Sequence, residues 1–515
     1  MRATYITSFF LLFSSVLWGQ TASIEGTDYH SLFTASSDLT VKSPLSFDTT
    51  ITAKQIEEKS TREYDKYGDL LNDDTHYYPK AAFYVPIGKI IFANFALWAA
   101  DRYIYNYDYS RVGFNSWSKN FKDGWEWDED NFGINFFAHP YTGAGYFNAA
   151  RSTGYSFYES IPYAIFGSMM WEYLGETTRP SYNDLINTTI SGAFGGEILY
   201  RLGSNLLDDR TSGLERFFRE FGAAILSPTR FTSRLINGDL ARSTTEETMQ
   251  KSTLNTAFFG GVYLRNENNK FGTGKITEIM GVQFDYGDPF ENRERKPFDV
   301  FKFRGELNLI TNGKIINNIS GYGLLFGKNI ESEHAPTLFG GFQSYDYWDN
   351  STIELGTIGL GAGIISRVEL PLKSRLYSTF RLSVIPLSGN SSIQGPDTLA
   401  DVRDYNYGGG AEAQLEATLT LFDFIRAEVT ANYYWIHTYV GLRGNNYVGI
   451  LKPRLTVDVF NNVSVGFENV TFFDDRYPRF SSEENPHPIQ HFVRTEQKVF
   501  LQIYFENSSR GGRFN

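Results

Sequence analysis

The stretch "RAEVTANYYW", Arg426–Trp435, decides the fold. Ala427, Val429, Ala431, Tyr433 and Trp435 fall on one side of an extended chain. Arg426, Glu428, Thr430 and Asn432 fall on the other. Side chains of a strand point alternately to its two faces, so a period of two predicts a strand with one apolar and one polar face. The same pattern recurs outward from this stretch. In Phe298–Ile310, Phe301, Phe303, Leu307 and Leu309 oppose Lys302, Arg304, Glu306 and Asn308. In Ala411–Leu419, Ala413, Leu415 and Ala417 oppose Glu412, Gln414 and Glu416. In Thr495–Phe505, Val499, Leu501 and Ile503 oppose Glu496, Lys498 and Gln502.

A soluble sandwich would alternate in the same way, so length is the discriminator. These segments run roughly 12 to 17 residues, against about 5 to 6 for a soluble strand and about 9 to 11 for a membrane crossing. Twelve strands are expected, near 253–265, 273–286, 298–311, 314–327, 335–347, 351–369, 372–388, 404–420, 424–440, 445–459, 462–475 and 490–507. An even number returns both ends to one side, and short turns face the periplasm while long loops face out. The turns near Pro371, Phe422–Asp423 and Asn461–Asn462 are short; Gly389–Arg403 and Arg476–Ile489 are long. The long connection Asp288–Pro297 falls on the short-turn side and breaks the pattern. The fold class is therefore mixed: an antiparallel transmembrane β-barrel at 253–507 preceded by a small α-helical domain.

Composition agrees with an envelope location. "MRATYITSFFLLFSSVLWGQ" has a positive start, an apolar stretch and small Gly19, the signature of a secretory signal peptide at 1–19. Residues 20–80 read as a flexible periplasmic lead with a short helix at Ala53–Tyr67. The chain has no cysteine, which excludes disulfides, thiolate catalysis and a lipid-modified N-terminal Cys. Its net charge of −12 argues against a nucleic-acid partner. Aromatics make up 17%, with 33 Tyr and 44 Phe, as membrane interfaces favour. The expected partners are outer-membrane lipid and other envelope proteins.

Residues 81–240 carry apolar stretches of helical length at Val85–Tyr105, Ser156–Glu176, Pro180–Leu207 and Gly213–Leu226, the last stopped by Pro228. Ser181 is a helix cap and Asp184, three residues on, can close a capping box. These helices are expected to pack on each other, with a face against the barrel or the inner leaflet. The whole domain is expected to face the periplasm. Within it, "WEWDEDNFGINFFAHPYTGAGYFNAAR…WEYLGE…RPSYNDL…SGAFGGEILYRL" runs from Trp125 to Leu202. In its order of HP, YF-x-x-AR, WE-x-x-x-E, PS-x-ND and GGE, this segment resembles a family of uncharacterised Gram-negative outer-membrane proteins carrying a domain of unknown function. The resemblance implies an envelope location and no reaction.

Candidate chemistry concentrates here. His139 and Arg151 bracket "HPYTGAGYFNAAR", read as a loop at a helix start and a packing seam. Glu159, Glu172, Glu176, Asp184 and Glu197 lie in or beside apolar helices, where a carboxylate must be paired, metal-bound or protonated. Glu197 and Arg201, four apart, form a local ion pair. The region has His139 as its one histidine and no E-x-x-H, so a salt-bridge network is expected rather than a metal site, with no cofactor. That network could hold a lipid headgroup through Arg151 and Arg201. The glycines of "SGAFGGE", Ser191–Glu197, sit mid-helix and suit a close helix approach. "DGWEWDED", Asp123–Asp130, lacks the spacing of a calcium loop and reads as solvated. Among strand histidines, His437 in "YYWIHTYV" reads as an interfacial neighbour of aromatics. Two functions follow: a non-enzymatic barrel (a narrow or gated transporter, or a subunit of an envelope assembly), or a lipid-modifying enzyme using His139, Glu159, Glu172 and Arg151.

Overall fold

In the computed structural model the described residues are 80–245, 249, 251–309, 314–350, 352–392, 405–479 and 489–507. The signal peptide, the lead and the helix expected at Ala53–Tyr67 lie outside them. Twelve strands close into one antiparallel barrel, each paired with its sequence neighbours and β1 with β12. They are β1 Leu254–Arg265, β2 Lys275–Tyr286, β3 Phe301–Asn308, β4 Ile316–Ile330, β5 Thr337–Asp349, β6 Ile353–Leu370, β7 Ser374–Ser392, β8 Asn406–Leu421, β9 Ile425–Val440, β10 Gly444–Phe460, β11 Val463–Pro478 and β12 Gln490–Asn507. Leu254 pairs with Asn507, so the start of β1 and the end of β12 share what is here termed the proximal end. Two proximal hairpins turn through Leu372–Lys373 and Phe422–Asp423, all four at positive φ. That is the twist a two-residue hairpin needs, met without glycine.

The register sends the charges inward. Arg304 reaches Glu306 at 2.7 Å and Glu468 at 3.2 Å, and Lys498 reaches Glu306 at 2.7 Å and Glu468 at 3.2 Å. Lys302 pairs with Glu416 at 2.7 Å. Gln414 and Tyr434 both donate to Asp346, at 2.6 and 2.9 Å. Distal to this layer the lumen is apolar, filled by Trp348, Ile385, Tyr434, Ile436, Val448 and Phe472. At the proximal end Tyr322, Leu324, Leu338 and Phe342 form a second apolar stop. The long Asp288–Pro297 connection explains itself here: Phe290 folds onto this stop, its ring 5.8 Å from that of Tyr377.

Seven α-helices precede the barrel among the described residues: α1 Tyr84–Tyr103, α2 Phe114–Asp123, α3 His139–Arg151, α4 Phe157–Leu174, α5 Tyr182–Leu206, α6 Gly213–Leu226 and α7 Pro228–Ile236. Three were not expected. His139–Arg151 is helix rather than loop, because a π-helical turn at Ile134–Ala138 runs straight into it and Pro140 sits in its first turn, where a missing N–H costs nothing. Pro228 starts α7 as well as ending α6, for the same reason. The Ser181 Oγ accepts from the Asp184 N–H at 3.3 Å as expected, but the Ser181 N–H is taken by Glu172 Oε2 at 2.8 Å, so Asp184 does not close a box.

The helices form a layer beside the barrel, on its outer wall. Ser344, Asp346 and Trp348 face the lumen, so Tyr345 and Tyr347 between them face out. Those outward tyrosines meet the helices: Tyr345 donates to the Phe136 carbonyl, and Tyr347 stacks on Phe132 at 5.4 Å. Phe136 fills the space over two strand glycines, lying 2.3 Å from where a Cβ of Gly356 or Gly389 would stand. Gln343 donates to the Ile190 carbonyl at 2.8 Å. Near the distal end Trp127 bridges Tyr182, Tyr407 and Tyr439. Near the proximal end Arg201 donates to the Pro297 carbonyl at 2.6 Å and Asn205 to the Ser252 carbonyl at 2.9 Å. The 25-residue α5 thus runs the height of the wall, about 37 Å at 1.5 Å per residue.

Candidate functional site

The eight sequence candidates separate into three places. The first is distal, where α3, α4, α5 and the segment 124–133 meet β8. His139 Nε2 lies 3.5 Å from Asp184 Oδ1. Asn183 donates to Asp184 at 2.9 Å and to Asp128 Oδ1 at 3.0 Å. Asn135 donates to the same Asp128 oxygen at 2.8 Å, and Tyr407 donates to it at 3.0 Å. Tyr405 donates to the Asp130 carbonyl at 3.1 Å, and Asn187 to the Asn135 carbonyl at 2.6 Å. Glu172 joins through the Ser181 N–H. Glu176 lies beyond the end of α4, where its carbonyl accepts from Asn120 at 3.0 Å. Burial raises the Asp128 carboxyl, but hydrogen bonds from Asp184, Asn135 and Asn183 and the nearby His139 outweigh this and hold it below the usual range.

The segment "DGWEWDED" is docked through its middle, while Asp123, Glu129 and Asp130 stay exposed as a solvated loop would leave them. Glu126 bridges to Ser181 in parallel fashion, and Trp127 and Asp128 are partly buried. Sequence reasoning missed Asp128, Asn135, Asn183, Tyr405 and Tyr407. The contact between Asn135 and Tyr407 spans 272 positions, and no local spacing marks it.

The second place lies further along α5. Arg151 makes two bonds to Glu197, Nε to Oε2 at 2.7 Å and Nη2 to Oε1 at 2.9 Å. Arg201 Nε adds a third at 2.8 Å. The guanidiniums of Arg151 and Arg230 each lie 4.4 Å from the Tyr200 ring. Arg151 also donates to the Tyr155 carbonyl at 2.8 Å. The two arginines donate to protein acceptors at these positions. This is a buried charge-assisted junction locking α3 to α5. Arg151, Glu197 and Arg201 pair here, while His139, Glu172, Glu176 and Asp184 lie elsewhere.

Glu159 occupies the third place. It caps α4, accepting from the Ser156 N–H at 3.0 Å, and pairs with Lys80 at 2.5 Å on the surface. His139 and Arg151 stand at opposite ends of the 13-residue α3, about 18 Å apart along its axis. The constellation of His139, Glu159, Glu172 and Arg151 does not converge. Among the described residues no three His, Asp or Glu side chains are placed to hold a metal ion.

The glycines of α5 meet α3 as expected. A Cβ on Gly143 would stand 1.8 Å from the Thr188 carbonyl oxygen, and one on Gly192 would stand 2.7 Å from Gly143 Cα. His437 lies on the outer face, its Nδ1 3.0 Å from Asn445 Oδ1 and beside Trp435.

Residues 124–229 match a family model described as "Domain of unknown function (DUF3943)". No curated protein matches the chain. Among solved structures, the NanC porin is 7% identical, with 48% of this chain and 98% of that chain covered at a TM-score of 0.27. OmpT of Vibrio cholerae is 7% identical, covering 49% and 97% at 0.20. Omp33 of Acinetobacter baumannii is 8% identical, covering 49% and 98% at 0.20. The barrel assignment rests on the chain's own strand pairing.

Proposed function

We propose that this chain is a sealed, non-conducting outer-membrane barrel whose role is to hold its helical layer in place as part of an envelope assembly. The observation that carries the reading is the burial of the lumen charges. Lys498 and Glu468 are each 1% exposed and Glu306 is 2% exposed. A water-filled channel would leave such groups wet, as porin lumens do. Here apolar stops lie on either side of the ionic layer. An outer-membrane location fits the apolar outer wall, with Leu415, Tyr433, Leu451 and Phe473 exposed on successive strands, and fits the signal peptide read at 1–19. It also makes the whole inner wall a scaffold, since paired charges in the lumen tie β3 to β11 and β12.

Purified protein in planar bilayers is expected to be electrically silent across applied potentials. Reproducible unit conductance steps from the wild-type chain would overturn the sealed reading. The enzyme alternative finds no convergent nucleophile, base and oxyanion donors in the three places described. His139→Ala is expected to leave the lipid composition of cells unchanged while reducing the stability of the distal junction, by about 1–2 kcal/mol for one lost polar contact. Lipid profiling beside thermal melting checks both halves; an altered lipid species in a stably folded variant would restore the enzyme.

A further inference from the structure

We infer that the helical layer is itself immersed in the acyl-chain region of the bilayer, alongside the barrel it rests on. This extends the outer-membrane reading and depends on it. The layer is built inside out relative to a soluble domain. Its buried seam is polar: Asn148, Arg151, Glu172, Asn187, Glu197 and Arg230 are all at most 2% exposed. Its outward surface is apolar. On α1 the exposed positions include Phe92 and Phe95, and every exposed residue from Tyr84 to Ala96 is apolar or glycine. On α4 every exposed position from Pro162 to Leu174 is apolar, Ile165 and Phe166 among them.

The α6 helix makes the polarity plainest. Its inner face carries Arg216 and Glu220, which join Asp209 and Arg234 in a buried ionic cluster. Its outer face presents Phe218 and Phe221. The outer charges of α6, Glu215 and Arg219, are paired with each other and confined to its first two turns. In water this arrangement would bury the costly groups and expose the cheap ones. In hydrocarbon it is the expected order, with ionisable groups facing the interior of the bundle.

Three further observations agree. The α3–α5 contact is a close approach of small residues, Gly143 on Thr188 and Gly192, the way helices pack where lipid offers no hydrophobic drive. The apolar surface is continuous with the barrel's own apolar wall, because the helices cover one side of the barrel from Tyr286 to Tyr439 and the other strands expose the belt. The dimensions match: α1 has 20 residues and α4 has 18, about 27–30 Å of helix at 1.5 Å per residue beside a belt about 25 Å tall. No described helix is long and apolar enough to cross a membrane by itself. None needs to be, since α1 over Tyr84–Ala96 and α4 over Pro162–Leu174 turn their polar side chains toward their neighbours and offer lipid an apolar face.

The absence of native cysteine makes the test clean. Single-cysteine variants of the full chain at Phe95, Phe166 and Phe221 would be spin-labelled and reconstituted in phosphatidylcholine vesicles. Val429→Cys and Tyr433→Cys on the barrel wall and Lys119→Cys on α2 serve as references. Collision with oxygen is then compared with collision with a water-soluble nickel chelate. All three helical sites are expected to match the barrel references in favouring oxygen, and Lys119 to favour nickel. Helical sites that favour nickel while the barrel sites favour oxygen would overturn the inference and leave the barrel reading standing. Labels immobilised and shielded from both colliders would mean a second copy or another protein covers this face, which also overturns it. Nickel preference at the barrel sites would instead sink the membrane reading itself.

Discussion

Gly143→Val is expected to detach α3 from α5 and abolish the packed helical layer. The new Cβ would stand 1.8 Å from the Thr188 carbonyl oxygen and 2.7 Å from its carbon. Both atoms are backbone, so no rotamer change relieves the clash. Ordinary overpacking costs about 1–3 kcal/mol because side chains can shift; a backbone collision on a helix held by a bidentate ion pair belongs in the tail above about 4 kcal/mol. Gly145→Ala supplies the internal control, since nothing lies within 4 Å of its position. It should be neutral or slightly stabilising, as alanine is the better helix former by about 0.5–1 kcal/mol. Limited proteolysis read beside heat-dependent gel mobility separates the two parts of the molecule. The valine variant should lose protease resistance in residues 80–245 and keep a heat-modifiable barrel. A fully resistant valine variant would mean that α3 and α5 do not approach as described.

Glu197→Ala should be nearly as damaging, through electrostatics rather than sterics. Glu197 is fully buried and Arg151 is 1% exposed. Its removal leaves Arg151 and Arg201 without their carboxylate, near a third guanidinium at Arg230. Breaking a buried pair by deleting one partner costs about 3–5 kcal/mol, most of it the price of the stranded charge. The signature that distinguishes this from simple cavity formation is rescue. Arg151→Met with Glu197→Leu and Arg201→Leu removes every stranded charge and should recover most of the lost thermal stability. A triple variant no better than the single would show that the junction matters for packing and not for charge.

The distribution of what was readable follows from locality. The barrel was legible because alternation is a property of neighbouring residues. Arg426–Trp435 shows both faces in ten positions, and β9 was found at Ile425–Val440, within one residue of the expected span. The inward set came with it: once the period is two, Arg304, Glu306, Glu468 and Lys498 must share one side of the wall. Helix starts were less legible. The Pro140 and Pro228 positions each allow two readings, and only the neighbouring turn chooses between them. The distal site was mostly illegible. His139 and Asp184 stood out by residue type, but Asp128, Asn135, Tyr405 and Tyr407 are ordinary in their local context and gain meaning from contacts that cross most of the chain.

The sequence by itself determined the number of strands, the charge of the lumen and the existence of separate apolar helices. The tertiary structure alone decided where those helices lie and which charges pair. The physical reason is that an outward-facing aromatic on a strand looks the same whether it meets lipid or a helix. Tyr345, Tyr347 and Tyr407 share the alternation of Tyr433 and Trp435, yet the first three are covered by the helical layer and the last two are exposed. Burial by a distant segment leaves no local mark, and so the side of the barrel that carries the helices could be known only from the folded chain.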